Sequence, residues 1–268
     1  MNESNTYQAV RIGDIADWRL ICAISARGMG AWLKHVNPTQ DIVTLFSEKW
    51  TADEDSLLSH IENCVYDHPQ VLDDFSCDIS VVAPKSIWVP EVIAGDDDDE
   101  ASRLYTQVYS AAESDIMSEN VAEATCLYTL VPGLNAFLQR TFPGARIHPH
   151  LGVLVRRFRE RSSDMPRIYV DIREEEADYV AFDRKNLLMA VTHHWHDPAD
   201  LQYHLYNILD VCELNPAEVQ VSLSGPSGLK TDLMRELRRT LTYVMLTMIP
   251  GPGSKAGMPL SASLLLRN

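Results

Sequence analysis

The sequence predicts an α/β protein of two similar lobes, each a mixed five-stranded sheet flanked by helices. Three observations carry that expectation. The order strand, strand, strand, helix, strand, helix, strand can be traced twice along the 268 residues. Three strands followed by crossover helices give a mixed sheet with helices on its faces. Apolar residues make up 46% of the chain, so both lobes can bury a core.

The elements follow in order. Residues 8–15 read as a strand, 14–17 as a tight turn, 18–25 as a second strand and 30–36 as a third, with a turn at Arg27-Gly28. A helix is expected over 54–66, where Thr51 and Glu54 have capping-box spacing and Leu57, Leu58, Ile61, Cys64 and Val65 share a face. Residues 78–83 read as a strand that 87–89 extends or pairs with. The acidic run 96–100 marks a solvated loop or helix start, and 101–109 suits a helix. No assignment is made for 114–117; 124–131 reads as a strand, 133–141 as a helix, 146–148 as a strand and 151–161 as a helix.

The second half opens with strands at 167–172, 177–183 and 186–195. Asp197 and Pro198 are a cap and first position for a helix with Leu201, Leu205, Ile208, Leu209 and Cys212 inward, ended by Asn215-Pro216. A strand at 219–223, a helix at 229–240 and a strand at 243–248 complete the set. After Pro250-Gly251-Pro252-Gly253 the last residues form a flexible tail or a docked segment. The expected division is residues 1–146 for the first lobe and 147–268 for the second with its C-terminal tail.

Charge narrows the function. A net charge of −15 argues against nucleic acid, whose phosphates need concentrated Lys and Arg, and against anionic membrane surfaces. No apolar run approaches the length of a bilayer span, the start Met1-Asn2-Glu3-Ser4-Asn5 has no apolar signal core, and the five scattered cysteines have no metal-knuckle spacing. Buried free thiols in a reducing compartment, hence a cytoplasmic location, are the expectation.

Three stretches carry a resemblance: residues 79–84, the turn Thr141-Phe142-Pro143-Gly144-Ala145 leading into Ile147-His148, and Val221-Ser222-Leu223-Ser224-Gly225. With Tyr169-Val170-Asp171-Ile172 opening the second half, they make the chain resemble a bacterial family of unknown function with the actin-like ATPase fold, two lobes of the RNase H type. More distantly it is similar to the cell-division and pilus-assembly actin homologues.

That resemblance implies phosphates held between two β-hairpin turns, one per lobe. Each turn begins Asp-x-Gly, the glycine letting backbone N–H groups approach the phosphate and the Asp managing metal and water. In the first lobe the matching turn is Gly13-Asp14-Ile15-Ala16-Asp17, without hydroxyl or lysine. In the second, Asp171 keeps its place, yet Arg173 stands at the glycine position and Glu174, Glu175, Glu176 and Asp178 follow. Each like-charge contact at ~4 Å costs about 1 kcal/mol in water and about 4 kcal/mol near a protein surface. The adenine-side turn survives in part as Ser224, Gly225 and Gly228, with Pro226 where a second glycine is expected.

Five of the nine histidines fall in two groups, His148 with His150 and His193, His194 and His196. If the groups met, His148, His150, His194 and His196 could hold zinc; the plainer reading is strand-end histidines. The arginines 156, 157, 159 and 161 either complement a helix dipole or dock on an acidic surface, the protein's own or a partner's. The functional expectation is a non-catalytic actin-like module acting through a protein partner or self-assembly, with no bound cofactor. The alternative is an enzyme in the interlobe cleft: a residual ATPase using ATP, magnesium and Asp171, or a metal-dependent hydrolase using the histidines. A third reading is a binder of an uncharged or cationic small molecule in that cleft.

Overall fold

In the computed structural model, residues 14–37, 39–51, 56–94, 98–110, 112–121, 123–161, 164–247 and 256–266 are described. Two five-stranded sheets face each other. The first runs β3-β2-β1-β4-β8, from β1 (Trp18–Ser25), β2 (Gly28–His35), β3 (Val43–Lys49), β4 (Ser76–Val81) and β8 (Arg146–Pro149). The second runs β11-β10-β9-β12-β13, from β9 (Arg167–Ile172), β10 (Glu176–Asp183), β11 (Asn186–His194), β12 (Gln220–Ser224) and β13 (Tyr243–Leu246). The strand orders correspond position for position, as expected of two similar lobes. In each sheet the first three strands pair antiparallel and the crossover strands pair parallel.

Strand alternation divides the core into layers. Leu20 and Cys22 of β1 face outward, onto α1 (Leu57–Asp67) and α4 (Leu134–Thr141), through Ile61, Phe137 and Leu138. Ile21 and Ala23 face inward, onto α5 (His150–Arg161) and the C-terminal helix. The second sheet repeats the scheme. Ile168, Val170 and Ile172 pack under α6 (Pro198–Val211) and α7 (Ser227–Leu237), and Tyr169 packs inward on Phe158 of α5, ring centroids 3.9 Å apart. Helix α6 starts as anticipated: Asp197 accepts from the N–H groups of Ala199 and Asp200, and Asp200 accepts from that of Asp197.

A third sheet, β5-β7-β6, is inserted between β4 and β8. It comprises β5 (Lys85–Pro90), β6 (Met117–Val121) and β7 (Ala124–Thr129), with the short α2 (Glu91–Ala94) and α3 (Asp98–Tyr109) between β5 and β6. Residues 87–89 therefore pair with β7 and not with β4. The sequence concealed β6 because its five residues, Met-Ser-Glu-Asn-Val, leave only Val121 buried.

Two readings of the first lobe are corrected. Of the expected strand 8–15, residues 8–13 lie outside the described residues, while Ile15–Asp17 is a 3-10 turn whose cap is Asp14. The third antiparallel strand is β3, an edge strand in which only Phe46 is buried, so its periodicity was faint. The hairpin that corresponds to the β9–β10 turn is therefore Ala26-Arg27, between β1 and β2. The turn at 14–17 only leads into β1.

The last helix, α8 (Leu260–Leu265), docks. It lies against α5, β1 and β4, returning from the second sheet to the first. Ser80 Oγ donates to Ser261 Oγ at 2.8 Å, Trp32 Nε1 donates to the Ala256 carbonyl at 3.2 Å, and the Lys34 ammonium donates to the Leu266 carbonyl. Leu264 is fully buried. Leu264→Ala is expected to cost about 2–5 kcal/mol, measured by urea denaturation, since α8 fills space that neither sheet can close over. Strand β8 belongs to the first sheet through Pro149, so a division after residue 146 falls inside a strand.

Candidate functional site

Register builds the site. Across the second sheet Asp178 pairs with Thr192 on β11 and with Asp171 on β9, and Asp171 pairs with Ser224 on β12. Thr247, just beyond β13, donates its backbone N–H to Leu223. Thr192, Asp178, Asp171, Ser224 and Thr247 thus form one polar row across the strands. Asp171 lies on the inner face with Tyr169, two residues before it, and Asp178 with Val180, two residues after it. The row sits where the parallel strands end, the customary position of a ligand crevice in an open α/β sheet. Ala23 of the first sheet, also on the inner face, pairs with Gly30 and Ser80, a row without an acid.

Asp178 is the best-satisfied member. Arg173 forks onto it, Nε to Oδ2 at 3.0 Å and Nη2 to Oδ1 at 2.9 Å, while Thr192 Oγ1 donates to Oδ1 at 2.7 Å. His150 Nε2, at the start of α5, donates to Oδ1 at 3.0 Å. Burial alone would raise the Asp178 pKa, but Arg173 and His150 hold it well below the usual carboxylate range. Arg173 also binds Glu176 Oε2 at 2.7 Å, and its carbonyl accepts from Trp195 Nε1 at 3.1 Å.

Asp171 is treated differently. Ser224 Oγ donates to its Oδ1 at 2.7 Å, with the Val170 carbonyl also in reach. Burial, then the neighbouring charge of Asp178, pushes the Asp171 carboxyl up to about 7 against the pull of Ser224 and Arg173. Gly225 follows at φ +121°, and a Cβ there would lie 2.5 Å from the Ile172 carbonyl oxygen, so glycine is required. Ser224 and Gly225 line a cavity of about 800 Å³ between the lobes, together with Ser80, His150, Asp171, Asp178, Thr247, Met258 and Leu260. Gly228 stands apart in the first turn of α7 with open space above it.

The mouth of the cavity is bridged. Arg27 of the β1–β2 turn forms an ion pair with Glu175 of the β9–β10 turn, joining the hairpin tips of opposite lobes. The resemblance placed phosphates between the β9–β10 turn and residues 13–17; in the first lobe the hairpin that corresponds to β9–β10 is this β1–β2 turn.

Of the four candidate histidines, His150 and His194 line the cavity while His148 and His196 do not. His148 on β8 donates to Glu119 Oε1 at 2.9 Å and lies 3.7 Å from Asp78, away from the cavity. Burial opposes its protonation, but those two carboxylates raise its pKa. His150 is committed to Asp178. His194 is on the outer edge strand, 3.9 Å from Glu176, and the His196 backbone N–H bonds Asp200 Oδ2. No group of three or more His, Cys, Asp or Glu able to hold a metal forms among the described residues. The α5 arginines dock on the protein's own acids, Arg156 on Glu119 and Arg159 on Glu123 at 2.8 Å. No helix among the described residues is long and apolar enough to cross a membrane.

Reading the residues alone missed Thr192, Thr247 and the role of Arg27. The signal available was Asp171 itself, a polar residue at an inward position of an otherwise apolar strand; its row partners emerge only from register.

No curated protein matches the chain. A protein of Bacteroides thetaiotaomicron with an actin-like ATPase fold and unknown function is similar in structure, with a TM-score of 0.78 at 17% identity, over 94% of this chain and 96% of that one. A PilM–PilN complex of type IV pilus biogenesis is similar with a TM-score of 0.57 at 14% identity, over 92% of this chain and 96% of that one. The fold is that of the actin-like ATPases. Residues 16–244 match the family described as protein of unknown function (DUF3822), and the chain belongs to that family.

Proposed function

We propose that this chain is a non-catalytic actin-like module, acting through protein–protein contacts, whose nucleotide site is degenerate. The observation that carries this reading is the Arg27–Glu175 pair across the place where two hairpins would grip a triphosphate. A phosphate entering there must break that pair and face Glu174, Glu175 and Glu176. Arg173, the one cation of the second turn, is already neutralised by Asp178 and Glu176. Backbone approach is also weaker than in a glycine turn, because Arg173 occupies the position where a side chain hinders it. The likeness to PilM, solved with PilN, supports a partner-binding role by fold analogy.

Calorimetric titration with ATP, with and without magnesium and up to millimolar nucleotide, tests the reading. The expected result is no saturable heat and no rise in melting temperature. Saturable binding with thermal stabilisation would overturn the degenerate site.

A further inference from the structure

Outside the cavity, one buried imidazole joins the inserted sheet to the first lobe. Glu119, on the edge strand β6, reaches over to β8 and α5. Its Oε1 accepts from His148 Nδ1 at 2.9 Å and pairs with Arg156. Gly152 of α5 makes room for it, since a Cβ at that position would lie 3.0 Å from Glu119 Oε2 and 3.1 Å from Pro149 Cγ. On the other side of the ring, His148 Nε2 is buried, without a hydrogen-bond partner among the described residues, 3.7 Å from Asp78 Oδ1 on β4. Asp78 is fully buried and is anchored by Arg146 of β8, Nε to Oδ1 at 2.7 Å, and by Arg19 of β1.

Both ring nitrogens therefore face carboxylates. A neutral imidazole has one donor and one acceptor nitrogen, so in either tautomer it sets a lone pair against one of the two acids. Only the imidazolium presents a donor to each. The acids themselves stay ionised. Burial opposes this, but His148, Arg146 and Arg19 lower the Asp78 pKa, and His148 and Arg156 lower that of Glu119. The groups facing the ring are thus Asp78 on β4, Glu119 on β6 and Arg156 on α5, with Arg146 on β8 and Arg19 on β1 behind Asp78.

We propose that His148 is a pH-sensitive clamp, its imidazolium tying β6 of the inserted sheet to β4 and β8 and its neutral form loosening that tie. The sign follows from the raised folded-state pKa of His148, which its two acids impose against burial. The clamp is fully closed below the unfolded-state value of about 6.5 and opens as pH rises through the higher folded one. Two contacts limit the opening. Val121 of β6 stays in the inner core with Leu151 and Leu154, and Arg159 of α5 bonds Glu123 at 2.8 Å. The expected change is a looser β6, with the inserted sheet still in place. Strand β5 of the same sheet lies against β11, so the clamp also bears on a contact between the lobes.

Hydrogen exchange of the full chain at about pH 6 and about pH 8.5, read by mass spectrometry over residues 117–129 and normalised to intrinsic exchange, tests the clamp. The expected result is protection that falls severalfold at the higher pH in the wild type. In His148→Gln, whose amide does not titrate, protection should be the same at both. Asp171 titrates in the same direction, so the effect is read as the difference between wild type and variant over these residues alone. Titration of the His148 ring by NMR in the wild type is the second measurement, and Glu119→Gln should move it back towards the ordinary imidazole value. An equal fall in His148→Gln, constant protection in the wild type, or a wild-type ring titrating at or below about 6.5 would each overturn the proposal.

Discussion

Asp171→Asn is expected to stabilise the protein by about 2–4 kcal/mol at pH 8 and to change little at about pH 4. The sign follows from the direction of the shift. The Asp171 pKa is raised to about 7 in the folded protein, whereas an unfolded chain releases that proton near about 3.9. Between those values the native state holds a proton that the unfolded state has lost, so unfolding becomes easier as pH rises through the window. Above it the whole cost of an ionised carboxyl beside Asp178 is present. Asparagine keeps an oxygen for the Ser224 hydroxyl and carries no charge. Urea denaturation of both proteins across this range measures the difference. A gap independent of pH would show that burial does not set the Asp171 charge.

The largest loss is expected from Asp178→Asn, about 3–5 kcal/mol at neutral pH. Asp178 is 1% exposed and is the only acid that Arg173 and His150 share at close range among the described residues. Removing its charge leaves the Arg173 guanidinium with the more exposed Glu176 as its counter-charge and leaves the Thr192 hydroxyl without its carboxylate. The double replacement Arg173→Met with Asp178→Leu should recover part of the loss, because the desolvation cost of both charges disappears together. The pH signature is opposite to that of Asp171. The Asp178 pKa is depressed in the folded state, so its contribution is fully present above the unfolded carboxylate value and is lost as pH falls through the lower folded one. Trp195, whose indole bonds the Arg173 carbonyl, gives a fluorescence reading of the same transition. Equal stability of Asp178→Asn and the wild-type protein would show that Arg173 finds its counter-charge in Glu176 alone.

The second lobe was almost fully legible, for a physical reason. Its strands are buried on both faces or alternate cleanly, and Asp197-Pro198 marks a helix start by local hydrogen bonding. The first lobe misled at its exposed parts. β3 buries one side chain and β6 one, so neither has a periodicity to read. Misplacing that edge moved the presumed phosphate turn to 13–17, when the true hairpin is Ala26-Arg27.

By itself the sequence determined the two-lobed α/β plan and the resemblance to the actin-like ATPases, because periodicity, capping and turn residues are local properties. Only the tertiary structure decided which charges meet. The pairing of Arg27 with Glu175 spans 148 positions, and the row Thr192, Asp178, Asp171, Ser224 and Thr247 is drawn from five separate stretches of chain. The return of α8 to the first sheet is equally invisible in a short apolar tail. Strand order and register set these neighbours, and both are fixed by burying the inner faces of two sheets against α5 and α8 together, a condition that no segment satisfies alone.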